Sequence, residues 1–381
     1  MMMAGPMSQL TYQQILLTGA TGALGPALAA ELARSGAAER IAVLMRAPAG
    51  ELDKRFAGWQ NDVRDLLPLD EKSKADCLFA VGGDICQEGL GMSHAAKVQR
   101  ETDLVVHAAA DTNFAAAQDK QWDVNVEGTR RTLQWAEACP HFKRFLLVSS
   151  AFVSGSRVGP IDETLTHDAP EFVTYYQRTK WEAEHVALRS GLPLGIARVS
   201  LVLGAHADGS VHRPGAIHSL IKWFSRGLVP MMPGLPDATA DVIATELAAQ
   251  CLVRAVRAEW RSGQPPIWHF AAGPKAPRMS ELIDEVYQHF AQRPQWRRRN
   301  IPRPQMVQMG EFSKFIDAVD AAGRTVLAQA MRSVNTFLPD MFYPKTYVTA
   351  QAEALWGGPL PQYDWRETMG RVIRFCCPMD K

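Results

Sequence analysis

The chain has 381 residues, of which 47% are hydrophobic and 21% charged, values typical of a globular protein with one large or two modest domains. With 41 basic and 40 acidic residues, its formal net charge of +1 excludes a global field that would recruit nucleic acid or an anionic membrane. The six cysteines show no metal-ligand spacing, so we interpret them as reduced structural thiols and expect no metal site.

The amino-terminal stretch MMMAGPMSQLTYQQ lacks the basic and apolar regions of a secretory signal. No other stretch is continuously apolar over the length that a bilayer span requires. We therefore expect a soluble, cytoplasmic protein without an integral membrane segment.

Short apolar runs alternate with helical patterns through the first half of the chain. The runs predict strands at residues 15–17, 41–45, 77–81, 104–106, 145–148 and 194–199, and the patterns between them predict helices at 26–34, 123–138 and 175–190. This alternation favours an α/β fold, a Rossmann-type doubly wound parallel sheet with helices on both faces. We expect residues 10–200 to form this dinucleotide-binding domain.

A turn with the sequence TGATGALG follows the first predicted strand and opens the first predicted helix. In that context, glycines let the backbone approach a pyrophosphate while the helix N-terminus favours negative charge. The turn therefore predicts a dinucleotide site, with cofactor contacts from Gly19, Thr21, Gly22, Ala23, Leu24 and Gly25.

The second predicted strand ends at Arg46, where NAD enzymes usually carry an acidic residue that holds the ribose 2′-hydroxyl. A guanidinium suits a 2′-phosphate instead, so NADP(H) is the expected cofactor. The alternative is that Arg46 is a solvated strand end.

Two hydroxyl side chains, Ser149 and Ser150, end the strand predicted at residues 145–148, at the sheet edge where open α/β folds bind ligands. Either hydroxyl could bind a substrate carbonyl oxygen, or both could simply cap the next turn. Further along, Tyr176 and Lys180 lie four residues apart on one helix face. A lysine ammonium beside the phenol is expected to lower the tyrosine pKa and make Tyr176 a general acid or base.

After residue 200 the alternation ends, and Gly-, Pro- and Met-rich loops separate helical stretches at residues 241–258 and 279–290. We expect residues 201–381 to form a smaller, mainly helical substrate lobe, with a strand near 267–271 returning to the main sheet. Residues 293–304 form an arginine-rich patch that either meets the phosphates of coenzyme A or an acyl-carrier protein, or is a solvated turn. The apolar residues between 306 and 343 fit an acyl channel or ordinary core packing equally well.

Taken together, these motifs resemble the extended short-chain dehydrogenase/reductase superfamily. The resemblance rests on TGATGALG, GGDI at 82–85, VVHAAA at 105–110, NVEGT at 125–129, SSAFVSG at 149–155 and Tyr176 with Lys180. Within the superfamily the chain is most similar to the fatty acyl-CoA reductase and thioester reductase branch, also called the male-sterility type, through Arg46, YYQRTKWEAE and ARVSLVLG at 197–204. Val199 departs from the proline of many relatives.

The resemblance implies roles for further residues. It makes Ser150 the catalytic hydroxyl beside Tyr176 and Lys180, with Asn125 supporting the site from a neighbouring helix. It also implies that cofactor contacts come from Asp84, Ile85, Ala108, Ala109, Ala110, Ser149, Tyr176, Lys180 and Val199.

The function indicated is NADPH-dependent reduction of an acyl thioester, from coenzyme A or a carrier protein, to an aldehyde or onward to an alcohol. One alternative is a hydroxysteroid-type or other small-ketone dehydrogenase that uses the same three residues. A second alternative is a catalytically silent protein that senses NADP by binding it.

Overall fold

The computed structural model describes residues 10–166, 168–260, 263–336 and 338–378. Residues 1–9, which belong to the amino-terminal stretch that lacks the features of a secretory signal, lie outside these ranges. So does Phe337, which belongs to the apolar segment at 306–343. Within the described ranges, no helix combines the length and apolar character needed to cross a membrane.

Thirteen strands occur in the described part of the chain: β1 Tyr12–Thr18, β2 Ala38–Met45, β3 Leu78–Gly82, β4 Leu104–His107, β5 Arg144–Ser150, β6 Gly159–Ile161, β7 Leu194–Val199, β8 Leu201–Gly204, β9 Met231–Pro233, β10 Val242–Ala244, β11 Ile267–Phe270, β12 Gln305–Val307 and β13 Lys345–Tyr347. Its α-helices are α1 Gly25–Ser35, α2 Leu52–Asp65, α3 Ala95–Glu101, α4 Gln118–Trp122, α5 Gly128–Glu137, α6 Tyr175–Arg189, α7 Ala216–Ser225, α8 Thr245–Arg257, α9 Met279–Ala291, α10 Pro294–Arg298, α11 Met309–Ala321, α12 Thr325–Asn335, α13 Ala350–Trp356 and α14 Trp365–Cys376.

Seven strands form one parallel sheet in the order β11-β7-β5-β4-β1-β2-β3, which confirms the predicted doubly wound fold. The strand order reverses between β1 and β4, and ligands of open α/β sheets bind in the crevice beyond such a switch point. The returning strand is also confirmed, because β11 pairs with β7 at the sheet edge. The strands are buried on both faces, which explains why they read as continuous apolar runs rather than alternating ones.

Helix α1 shows how local sequence sets its limits. Pro26 lies in its first turn, where a missing N–H costs nothing, and Gly36 ends it in the left-handed conformation at a φ of 61°. Helix α6 begins with a capping box in which Thr174 and Gln177 each bond the other's backbone N–H. The predicted helices at these two places are therefore confirmed.

Two predicted helices differ from the structure. The helix expected at residues 123–138 begins earlier, as α4, and passes through a π-helical turn at Asp123–Glu127 before α5. The stretch expected to be helical from residue 241 begins instead as β10, which pairs with β8. Both errors concern backbone hydrogen bonding that the apolar periodicity does not encode.

The second half of the chain contributes to two cores. Helix α8 packs against α1, and its apolar face joins the same hydrophobic cluster as β1 and β2. A separate cluster buries side chains of α7, α9, α11, α12 and α14. Phe312, Ile316, Met331 and Met341 lie in it, so much of the apolar stretch at 306–343 is core. The division of the chain at residue 200 stays a prediction.

Candidate active site

The glycine turn between β1 and α1 leaves room that no other residue type would leave. Gly19 has a φ of 75°, and a Cβ there would lie 2.4 Å from the carbonyl carbon of Ala108 and the nitrogen of Ala109. A Cβ on Gly25 would lie 2.0 Å from the carbonyl oxygen of Ala20. The first glycine thus permits a tight turn and the third permits close packing, so the residues present fit a dinucleotide pyrophosphate at the N-terminus of α1. Thr21, Gly22, Ala23 and Leu24 form the turn between them.

The loop after β4 lies against this turn. The N–H of Ala109 donates to Thr18 Oγ1 (3.3 Å), and Thr18 Oγ1 lies 2.8 Å from Nδ1 of the buried His107. On the other side of the ring, Nε2 lies 3.1 Å from Thr129 Oγ1, whose proton goes to the Asn125 carbonyl. His107 must therefore donate from Nε2 and accept at Nδ1, as a neutral ring does.

Burial agrees with that assignment, because it lowers the pKa of His107 to about 3, with a smaller contribution from the Lys180 charge. Ala108 and Ala110 flank Ala109 at the carboxyl end of β4, beside the glycine turn. These three alanines thus occupy the predicted place next to the cofactor turn.

Arg46 and Asp84 lie at the carboxyl ends of neighbouring strands β2 and β3. Their charged groups are 3.9 Å apart, and the Arg46 side chain is 69% exposed. Asp84 Oδ1 also accepts the N–H of Cys86 at 3.0 Å, while Ile85 is buried beneath the loop. The guanidinium is therefore accessible at the position where a ribose 2′-phosphate is expected. The nearby carboxylate of Asp84 restricts where the guanidinium can move.

The two serines at the end of β5 face opposite ways, as successive residues of a strand must. Ser149 Oγ donates to Glu184 Oε1 at 2.6 Å inside the protein. Ser150 Oγ accepts the N–H of Phe152 (3.2 Å), and its hydroxyl is near enough to the Tyr176 phenol to affect the pKa of that group. The geometry thus favours Ser150 as the substrate-facing hydroxyl, and the Ser149 hydroxyl serves a buried carboxylate. Val199 lies opposite Ser150 in the neighbouring strand β7.

Tyr176 is enclosed in the first turn of α6, with the ring of Phe114 edge-on at 5.1 Å. Burial raises its pKa to about 12, and the nearby Ser150 hydroxyl opposes that rise. The expectation that Lys180 lowers this pKa is wrong for the structure. The desolvation of the phenolate dominates, and the lysine's ammonium group is directed to the backbone of β5.

Lys180 is buried, and its Nζ donates to the Val148 carbonyl oxygen at 2.9 Å. Burial lowers its pKa to about 8, while the carboxylate of Glu184 raises it. The hydroxyl of Ser150 therefore lies at the last residue of β5, and a protonated phenol and an ammonium group lie in the first two turns of α6. This set can supply a proton and stabilise negative charge at the sheet edge.

Asn125 lies in the π-helical turn and is buried. Its Oδ1 accepts the N–H of Asp111 (2.7 Å), while its Nδ2 donates to the Asp111 carbonyl (3.1 Å) and to Thr179 Oγ1 (2.9 Å). Its amide thus joins the loop after β4 to α6. The supporting role of Asn125 in catalysis stays a prediction.

Four arginines of the arginine-rich patch have partners within the chain, although Arg297, Arg298 and Arg299 are exposed. Arg293, Arg297 and Arg299 donate to the backbone carbonyls of Cys377, Ala291 and Arg226, at 2.8, 2.9 and 2.6 Å. Arg303 pairs with Asp284. Both interpretations of the patch, a phosphate-binding surface and a solvated turn, stay predictions.

The sequence analysis did not predict two sets of polar side-chain contacts around the site. Glu184 and Arg198 form a buried ion pair behind Ser149. Gln177, which caps α6, also donates to Asp340 Oδ1 (2.7 Å), whose partner Lys345 donates to the Gly155 carbonyl (2.6 Å). The only signal for Glu184 was its place four residues after Lys180, and nothing local marked Asp340.

Comparison with known proteins places these features in context. The family model for male sterility protein, an NAD-binding domain, matches residues 17–252. A chloroplastic fatty acyl-CoA reductase 2 from Arabidopsis thaliana is 30% identical over 170 residues, which cover 42% of this chain and 28% of the reductase. Fatty acyl-CoA reductase 1 from the same plant is 24% identical over 355 residues, covering 75% of this chain and 72% of that protein.

Among solved structures, the terminal R domain from the myxalamid PKS-NRPS biosynthetic pathway superposes with a TM-score of 0.74 at 22% identity, covering 95% of this chain and 90% of that domain. This similarity shows a shared fold. The first of the curated relatives is much longer than the matched region, since the chain spans 28% of its length.

Proposed function

Because the chain belongs to the male sterility protein family, whose members are NAD(P)-dependent oxidoreductases, we propose that it reduces an acyl thioester to an aldehyde with NADPH. The observation that carries this proposal is the placement of Ser150, Tyr176 and Lys180 at the same sheet edge as the glycine turn. The relatives named fatty acyl-CoA reductase support the substrate class.

The residues at the switch point would hold the cofactor. The turn from Gly19 to Gly25 receives the pyrophosphate, and the exposed guanidinium of Arg46 receives the 2′-phosphate, which favours NADPH over NADH. Lys180 holds the nicotinamide ribose. When bound, NADPH supplies the hydride that turns a thioester carbonyl into a hemithioacetal, which then loses its thiol and leaves the aldehyde.

Tyr176 acts as the proton donor. With a pKa of about 12 its phenol keeps its proton at neutral pH, so it can give that proton to the oxygen that gains charge. Ser150 donates a hydrogen bond to the same oxygen. Lys180, on the same face of α6, supplies the positive charge of this set, which favours negative charge at the sheet edge.

The test is to incubate the purified protein with NADPH and a panel of short, medium and long acyl-CoAs, following NADPH loss and free thiol together. Matched loss of NADPH and release of thiol is expected, with a ratio near one for an aldehyde and near two for an alcohol. The Tyr176→Phe protein serves as the blank. NADPH consumption with ketones and without thiol release would replace the proposal with a small-ketone dehydrogenase, and no consumption with acyl-CoAs, acyl-carrier proteins or ketones would favour an NADP-sensing protein.

A further inference from the structure

The catalytic helix contacts the end of β5 through three side chains spaced four residues apart. Tyr176 meets Ser150, and Lys180 donates to the Val148 carbonyl. One turn further, Glu184 Oε1 accepts the hydroxyl proton of Ser149. Residues four apart share one helix face, so the proposed acid and its lysine are continued by a carboxylate on the same face.

Glu184 is held in a single position by Arg198 of β7. The guanidinium donates from Nε to Oε1 (3.0 Å) and from Nη2 to Oε2 (2.9 Å), and both side chains are only 1% exposed. Nη1 of Arg198 donates to the Thr164 carbonyl oxygen at 3.1 Å. A bidentate pair of this kind has a specific geometry and gives both carboxylate oxygens a hydrogen-bond donor.

The other ionisable groups around Lys180 show why the Glu184 carboxylate matters for the charge of this lysine. His107 of β4 is neutral, and Tyr176 is protonated at neutral pH, so neither supplies negative charge. Arg198 places a second cation behind the carboxylate. Of these groups in the described part of the chain, Glu184 alone favours the ammonium form of Lys180, against the burial that disfavours it.

We propose that Glu184 is a positioning residue of this site, whose buried carboxylate keeps Lys180 cationic and fixes the end of β5 through Ser149. The link to catalysis rests on the proposed function, because only there does the lysine charge serve a reaction. The placement of the carboxylate and its effect on the lysine do not depend on it.

The experiment is Glu184→Gln, which keeps the size and an acceptor for Ser149 but removes the charge. Competitive labelling with trace acetic anhydride, quantified for the Lys180 peptide across pH, measures the lysine pKa without any turnover. We expect this pKa to fall by about one unit, because an amide no longer stabilises the ammonium. The alkaline limb of kcat/KM is expected to move down with it, since Lys180 loses its proton well before Tyr176 does.

A second variant covers the case in which an unpaired Arg198 prevents folding. Glu184→Gln combined with Arg198→Met removes both charges, and the lysine pKa is again expected to fall. Glu182→Gln is the matched control, because Glu182 lies two residues away on another face of α6 and should leave the lysine pKa unchanged.

The outcomes separate the two proposals. An unchanged Lys180 pKa in the folded double variant overturns the inference about Glu184. A lowered pKa with an unmoved alkaline limb supports that inference and overturns the role of Lys180 in the proposed reduction. A fall of both in the Glu184 variants, with neither moved by Glu182→Gln, supports both.

Discussion

The two sides of the proposed site differ in composition: one consists mainly of backbone and the other of polar side chains. The cofactor side, Gly19–Gly25 with the alanines after β4, is made of backbone packed so closely that a single extra carbon would overlap it. The catalytic side, from β5 to α6, is made of buried polar side chains that satisfy one another. The first side should therefore be damaged by added atoms, and the second by removed atoms or charges.

The strongest test on the catalytic side removes one oxygen. We expect Tyr176→Phe to lower turnover by about 100- to 10,000-fold, the range for loss of a general acid, while NADPH affinity stays within about twofold. Stopped-flow fluorescence for binding and single-turnover assays for chemistry measure both. Normal turnover in this variant would show that another group is the proton donor.

The two serines offer a matched pair of the same chemical change. Ser150→Ala is expected to reduce turnover by about 100-fold, because the substrate oxygen loses a hydrogen bond. Ser149→Ala should reduce turnover much less than Ser150→Ala does, and it should cost about 1 kcal/mol of stability, since it removes a buried bond to Glu184. Assays and denaturant titrations of both variants decide the assignment, and the reverse pattern would make Ser149 the substrate-facing hydroxyl.

On the cofactor side, an added methyl group is the test. Gly19→Ala must place its Cβ within 2.4 Å of the Ala108–Ala109 backbone, so NADPH affinity should fall about tenfold or more. Gly50→Ala is the control, because Gly50 has a similar φ of 80° with nothing within 4 Å. It should cost only the strain of the left-handed conformation, about 1 kcal/mol. Equal NADPH affinity in the two variants would remove the steric argument.

The smallest expected effect is that of replacing the positive charge of Arg46 on the cofactor side. Arg46→Asp should shift the NADPH-to-NADH preference roughly tenfold toward NADH, because the guanidinium for the 2′-phosphate is replaced by an acceptor for the 2′-hydroxyl. The ratio of kcat/KM values for the two cofactors measures it. A ratio equal to that of the unaltered protein would place Arg46 outside the site.

The same contrast explains how much the sequence could predict. The strands, the glycine turn and helix α6 are local features, set by apolar runs, positive φ and a capping box, and the sequence located them within a few residues. The π-helical turn at Asp123–Glu127 was missed because its altered hydrogen bonding leaves no mark in the apolar pattern.

Long-range pairs were out of reach for a different reason. That Glu184 meets Arg198 depends on how α6 lies on β5 and β7, and neither residue's neighbours in the chain indicate a partner. The raised pKa of Tyr176 was misjudged on the same ground, because spacing shows which residues are near but not how deeply they are buried.

The hydrogen bond from Gln177 to Asp340 also bears on how the protein is made. Its two residues are 163 positions apart, and the strand that follows Asp340, β13, pairs with β6 beside the serine loop. The contact between the first turn of α6 and Asp340 therefore forms only after the ribosome has synthesised nearly the whole described chain. Closing so long a loop is slow, so we expect the dinucleotide fold to form first during synthesis and the catalytic edge to mature last.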